Sequence, residues 1–224
     1  MSRITKILNI ILILAIVVGD ICYTTLGGLW LKGLTSLFFV LLGACNVFFL
    51  AKCKREDLKF GIFMLIGLFV CFVADIVLNL NFMFGAIIFA LGHVFYIIAY
   101  SIHKKLKISD LIPSVIIFVP VTLLIVFLPI FNFGGIVMEL VCIIYALIIS
   151  IMVGKSISNF IREKSLLNLL IMIGSLLFMF SDLMLLFANF ANVSRLFDIL
   201  CLATYYPGQA MLASSFYFGN KLNN

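Results

Sequence analysis

The chain reads as long apolar runs set apart by short polar breaks, and each run is close to the ~20 residues that a helix needs to cross hydrocarbon. Eight segments follow from this pattern: Thr5 to Tyr23, Leu29 to Ala51, Phe60 to Asn79, Phe82 to Ile102, Leu111 to Ile130, Gly134 to Gly154, Leu166 to Asn189 and Leu196 to Gly219. Between the third and fourth only the polar turn Leu78-Asn79-Leu80-Asn81 interrupts the run. Lipid offers no partners to unpaired backbone groups, so spans of this length are helices. A barrel would show alternating stretches of ~10 residues instead, and none appears. The pattern predicts an all-α, polytopic integral membrane protein, eight transmembrane helices in a single domain over residues 1–224.

Composition excludes the soluble alternatives. The chain is 65% hydrophobic and 11% charged, with a mean hydropathy of +1.32, against ~45–50% apolar residues in soluble domains. Its longest charged stretches, Lys52 to Lys59 and Lys155 to Ser165, are loop-sized, so no aqueous domain and no nucleic-acid partner is expected despite the net charge of +6. The basic excess sets orientation instead. All but Lys32 and Arg195 of the 15 lysines and arginines fall at the amino end, in the even-numbered loops or at the carboxyl end, which predicts cytoplasmic N and C termini.

Arg3 and Lys6 ahead of the run Ile7 to Val18 imitate a signal peptide. Val17 and Gly19 make a weak cleavage site, and a bulky Ile21 precedes Cys22, so the first helix is expected to be retained. The six cysteines form no C-x-x-C pair and suggest neither a zinc site nor a disulfide framework. Usage rich in isoleucine, lysine and asparagine points to a low-GC bacterium and its plasma membrane.

An internal similarity links the third and seventh helices. Gly67 precedes Asp75, and Gly174 precedes Asp182, at the same spacing, within helices of the same direction. This raises a parallel repeat of two four-helix units as a hypothesis.

An ionisable side chain at a helix centre costs ~2.5–3.5 kcal/mol on insertion scales, so each one calls for a reason. Asp75 and Asp182 lie well inside helices three and seven, and His93 lies near the middle of helix four. Lys32 and Glu139 stand at the outer starts of helices two and six, Asp20 and Asp198 at outer helix ends. All but His93 map to the outward half of their helix, which predicts one polar pocket facing away from the basic loops. Helical spacing gives further faces: Gly67, Cys71, Asp75 and Asn79; Gly85, Phe89, Gly92, His93, Tyr96 and Tyr100; Lys32, Thr35, Ser36, Gly43 and Asn46; Asp198, Tyr205 and Gln209. Such stripes are what any polytopic bundle needs for packing. Pro207 removes a backbone hydrogen bond and predicts a kink at Tyr205–Gln209.

Two aspartates, a histidine and a lysine in apolar surroundings admit three kinds of chemistry. They suit the proton or ion path of a small-solute or lipid transporter, a metal centre on Asp75, His93 and Asp182, or a metal-free acid/base pair. With one intramembrane histidine, a nitrogen-rich zinc site has too few ligands, and no metal is expected. Paired carboxyls remain attractive because proximity pushes one to donate and the other to accept.

Five features taken in order resemble the YhhN-like lysoplasmalogenase membrane protein family. They are Lys32 at the outer start of helix two, Gly67 to Asp75, the run Phe84-Gly85 to Gly92-His93 and Tyr96, Gly174 to Ser181-Asp182, and Thr204-Tyr205-Tyr206 with Gln209. The resemblance implies an eight-helix ether hydrolase that cleaves the vinyl ether bond of lysoplasmalogens, releasing a fatty aldehyde and a glycerophospho-base. It carries the catalytic aspartates over to Asp75 and Asp182. Protonation of a vinyl ether on carbon, addition of water and collapse of the hemiacetal require an acid and a base and no cofactor. Which aspartate is which stays open. Ser181 lies beside Asp182 in the matching run. His93, Tyr205, Tyr206 and Gln209 are expected to orient the pair or the water, and Lys32 to meet the phosphate of a lysophospholipid substrate drawn from membrane lipid. A transporter, or a lipid-binding protein without catalysis, remains the alternative.

Overall fold

The computed structural model of the chain describes residues 3–53 and 58–219. Among these, Arg3–Leu26 (α1), Leu29–Cys53 (α2), Leu58–Leu80 (α3) and Phe82–His103 (α4) precede a 3-10 turn at Ile108–Asp110. Leu111–Phe127 (α5), Ile136–Arg162 (α6), Leu166–Phe190 (α7) and Leu196–Gly219 (α8) follow it. Seven of these eight helices are long and apolar enough to cross a membrane; α8 is not among them. Its run from Thr204 to Gln209 explains the shortfall. Tyr205, Tyr206 and Gln209 are buried inside the bundle, where polarity costs nothing to lipid. Of the basic residues that set the expected orientation, Lys54, Arg55 and Lys221 lie outside the described residues.

Six helices form a closed circuit. In the order α2, α3, α4, α6, α7, α8 each packs on the next, and α8 returns to α2. This arrangement sets α3 and α7 on opposite sides of the ring, each with one intramembrane aspartate. Outside it, α1 braces α2 and α8, while α5 packs on α6 and does not touch α4.

Close approach is built on glycine, because helices in lipid associate through packing rather than hydrophobic exclusion. A methyl group at Gly85 would come within 2.4 Å of the Leu78 Cα, so the α3–α4 hairpin closes tightly beside its turn. There the Asn81 side chain accepts the Phe84 N–H and caps α4. Gly67 leaves room for the Tyr96 ring, and Gly174 and Gly208 face one another across α7 and α8, each within 3.0 Å of the other's carbonyl oxygen if it carried a Cβ. On α1, Asn9 and Asn46 of α2 exchange amide hydrogen bonds at 3.0 Å, and Asn46 also donates to the Ala213 carbonyl of α8. Helix α8 continues unbroken through Pro207.

The sixth helix departs from its expected end. Lys155 to Arg162 continue α6 for two further turns instead of forming a loop, since the segment before α5 and the end of α4 supply partners for Lys155, Asn159 and Arg162. Lys155 Nζ lies 2.9 Å from Asp110 Oδ2, Arg162 pairs with the same carboxylate, and the Asn159 amide donates to the Tyr100 carbonyl. Lys155 and Asp110 are 1% and 3% exposed. A buried charge pair this complete replaces the water that a loop would have offered.

Candidate functional site

Asp75 is held by two helices. Lys32 and Ser36, one turn apart on α2, reach it together: the Ser36 hydroxyl donates to Oδ2 at 2.6 Å, and Lys32 Nζ stands 3.6 Å from Oδ1. From α8, the Tyr205 hydroxyl donates to Oδ2 at 2.7 Å. Behind these donors lie others. Tyr96 donates to Gln209 Oε1, and the Gln209 amide donates to the Tyr205 oxygen. Tyr206 lies 3.3 Å from the Ser36 oxygen, and its proton completes that bond because Ser36 spends its own on Asp75. Two hydroxyl relays and one ammonium therefore converge on a single carboxylate. In each of these contacts the carboxyl only accepts.

Asp182 is held more sparingly. Tyr145 of α6 donates to Oδ2 at 2.7 Å, and His93 Nε2 of α4 lies 3.4 Å from the same oxygen. His93 Nε2 is also 2.8 Å from the Tyr145 oxygen. As the tyrosine proton goes to Asp182, Nε2 carries the ring proton and donates to Tyr145. Nδ1 is buried without a partner. Oδ1 takes no part in these contacts, and no lysine or arginine pairs with this aspartate among the described residues.

Between the two clusters lies an aromatic floor. Phe178 packs edge-on against both His93 and Tyr205, at centroid distances of 4.7 and 5.2 Å, and Phe89 packs against Phe178 and Tyr205. Rings locked on several sides leave few rotamers to the polar groups they support.

Both aspartates open onto one cavity of about 210 Å³ at the end of the bundle opposite the Asp110–Lys155 pair. Lys32, Ser181 and Tyr205 line it too, as do Tyr23, Asn79, Asn189 and Asp198. His93, Tyr206 and Gln209 do not reach the cavity; they act on it only through Asp182, Ser36 and Tyr205. Ser181 lies 3.4 Å from the Cys201 sulfur and, among the described residues, hydrogen-bonds to neither aspartate. The expected gathering of all outer acidic groups is corrected in two places. Asp20 faces a separate cavity between α1 and α8, and Glu139 does not line the shared one. Helix rotation decides this, since a residue at the right depth still faces lipid or another groove if its angular position differs.

Tyr145 is the residue that the pattern of charges passes over. It sits in an apolar stretch of α6, and its only sequence signal is the buried spacing Cys142, Tyr145 or Ala146, Ile149. A tyrosine at such a position is usually packing. Ser36, read from spacing as part of a packing face, proves to be a direct donor to Asp75.

Compared with known proteins, residues 29–216 match the profile of the YhhN family, from the first residue of α2 almost to the end of α8. No curated protein and no solved structure matches the chain.

Proposed function

The chain belongs to the YhhN family, and on that premise we propose that it is a lysoplasmalogenase-like ether hydrolase in which Asp182 is the acid and Asp75 the base. The carrying observation is the unequal provision for two carboxyls on one cavity. Asp75, with Lys32, Ser36 and Tyr205 donating to it, is built as a carboxylate; Asp182, with no lysine or arginine paired among the described residues and Oδ1 outside its contacts, has an oxygen that can bear a proton. Asp182 Oδ1 gives that proton to the vinyl carbon distal to the ether oxygen, and an oxocarbenium ion forms beside the Asp75 carboxylate, which stabilises it. Water adds to the cationic carbon and passes a proton to Asp75. The hemiacetal then collapses: its hydroxyl proton returns to Asp182, Asp75 protonates the departing glyceryl oxygen, and both carboxyls regain their starting states. No metal, cofactor or covalent intermediate enters. Lys32 neutralises Asp75 and lines the cavity wall, where its remaining N–H groups suit the phosphate of a lysophospholipid.

Placement in the membrane belongs to the same proposal. Helix α8, at 24 residues or ~36 Å, spans with the seven others, because it is wedged among α7, α2 and α1. Both ends lie in the cytoplasm, the cavity opens outward, and the membrane is a bacterial plasma membrane. The halves α1–α4 and α5–α8 are parallel repeats. Each aspartate takes donors from the second helix of its own half, α2 or α6, and from the fourth helix of the other half, α8 or α4. The circuit closes correspondingly, α4 on α6 and α8 on α2.

Purified protein in mild detergent, given choline and ethanolamine lysoplasmalogens and followed by mass spectrometry of fatty aldehyde, tests the function. Wild type is expected to release aldehyde without any gradient, and Asp75→Asn and Asp182→Asn to fall by a factor of ~10³ or more. Folded, monodisperse wild type that releases none would overturn the hydrolase and leave the transporter.

A further inference from the structure

A second cavity adjoins the first. It lies among α3, α4, α5, α6 and α7 and holds about 90 Å³. Both cavities share Leu78, Phe82, Phe89, Leu185 and Asp182, so the acidic side chain stands where they meet. Beyond it the walls change character. Val121 and Ile125 of α5, Cys142, Ala146 and Ile149 of α6 and Met179 of α7 are apolar; besides Asp182, only Tyr145 and Ser150 bring hydroxyls. Along α6 the space runs from Val141 to Ser150, ~13 Å at the rise of a helix, from near the outer end toward mid-depth. At ~15 Å³ for each water-sized sphere it accepts on the order of six methylene-sized groups.

The absence of packing between α4 and α5 opens this space, since the two helices flank it without touching. On the opposite side of the ring, the corresponding space holds Tyr23, Lys32, Asp75 and Asp198. One lobe is polar, the other apolar; Asp75 stands in the polar one and Asp182 where the two meet.

We infer that the apolar lobe is a binding subsite for a single hydrocarbon chain, whose polar head occupies the lobe of Lys32 and Asp75. This rests on the proposed function for the identity of the head-bearing lipid, though the amphiphilic fit is independent of any reaction. Water alone does not suit a cavity with so few polar partners, and the lobe takes the head-proximal part of one chain. The occupant is therefore a one-chain amphiphile threaded past Asp182. This threading sets the bond between chain and head against the carboxyl, and Ala146 and Ile149 limit how far the chain enters.

A lysophosphocholine carrying a diazirine on the first few carbons of its chain tests the lobe without requiring catalysis. Irradiated with the purified full chain in mild detergent, it is expected to label peptides of α5 and α6 around Val121–Ile125 and Cys142–Ile149. Excess unlabelled lysolipid suppresses that labelling, and Ala146→Phe, which narrows the lobe, reduces it about tenfold. Labelling confined to α1 and α8, or labelling of α5 and α6 indifferent to competitor and to a monodisperse Ala146→Phe, overturns the inference. Ala86→Leu, which fills the lobe from α4, serves if Ala146→Phe does not fold. Aldehyde release by wild type with labelling elsewhere removes the chain subsite and keeps the hydrolase; competed labelling of the lobe without aldehyde does the reverse.

Discussion

Tyr145 does for Asp182 what Tyr205 does for Asp75, but it does so nearly alone. Removing its hydroxyl by Tyr145→Phe leaves Asp182 Oδ2 with only the longer approach of His93, and a buried acceptor losing its partner costs ~1–3 kcal/mol. The expected result is a ten- to hundredfold fall in the aldehyde-release rate with little change in KM. Ser36→Ala, whose carboxylate keeps both Tyr205 and Lys32, should lose less than Tyr145→Phe in the same assay. Lys32 belongs to a different balance. With Asp75 2% exposed, Lys32→Met strands a buried charge, a loss of ~3–5 kcal/mol. Thermal unfolding in detergent should show a large drop in Tm that Asp75→Asn, introduced on top, mostly restores, a coupling that a pair without interaction would not give. Asp75, Asp182, His93 and Lys32 were legible because an ionisable group in lipid needs a cause. Tyr145 and Ser36 were not, since a hydroxyl at a buried helical position satisfies packing equally well, and only the partner across the gap separates the two cases.

Helix boundaries followed the apolar runs wherever the polar residues at their ends faced water. They failed at α6, where Lys155, Ser158 and Asn159 are polar yet enclosed, because sequence gives no sign that Asp110, forty-five positions earlier, waits beside them. The same junction contains a close approach of α5 to α6. Gly154 abuts Ser114 so closely that a Cβ would meet its backbone nitrogen at 2.6 Å. Gly154→Leu is expected to cost 3 kcal/mol or more, about the upper range for overpacking, and to be seen as loss of the monodisperse peak on size exclusion and a lowered Tm. Gly154→Ala should lie between it and wild type. The glycines at Gly67 and Gly174 were readable as a repeated spacing to aspartate, whereas their task, admitting Tyr96 in one helix pair and Gly208 in the other, was not.

For the whole molecule, the even count of helices and the bias of basic loops make a topological statement that labelling can check. In a background stripped of reactive cysteines, Asn192→Cys, between α7 and α8, is expected to react with a membrane-impermeant maleimide in intact cells. Lys164→Cys, between α6 and α7, is expected to react only after permeabilisation; the opposite pattern would invert the molecule and turn its cavity inward. How the ring closes was beyond the sequence, because periodicity marks a face without naming the helix it meets. Closure also has a consequence in time. Asp75 receives Tyr205 from a helix synthesised 130 residues later, so during biosynthesis the nascent amino-terminal half must enter the bilayer with this carboxylate lacking one of its two hydroxyl donors. Lys32 and Ser36 are already there, on the helix made immediately before. The lysine thus acts as an escort for the charge through membrane insertion, and a cell making Lys32→Met should accumulate stalled or degraded chains before any catalytic defect is measured.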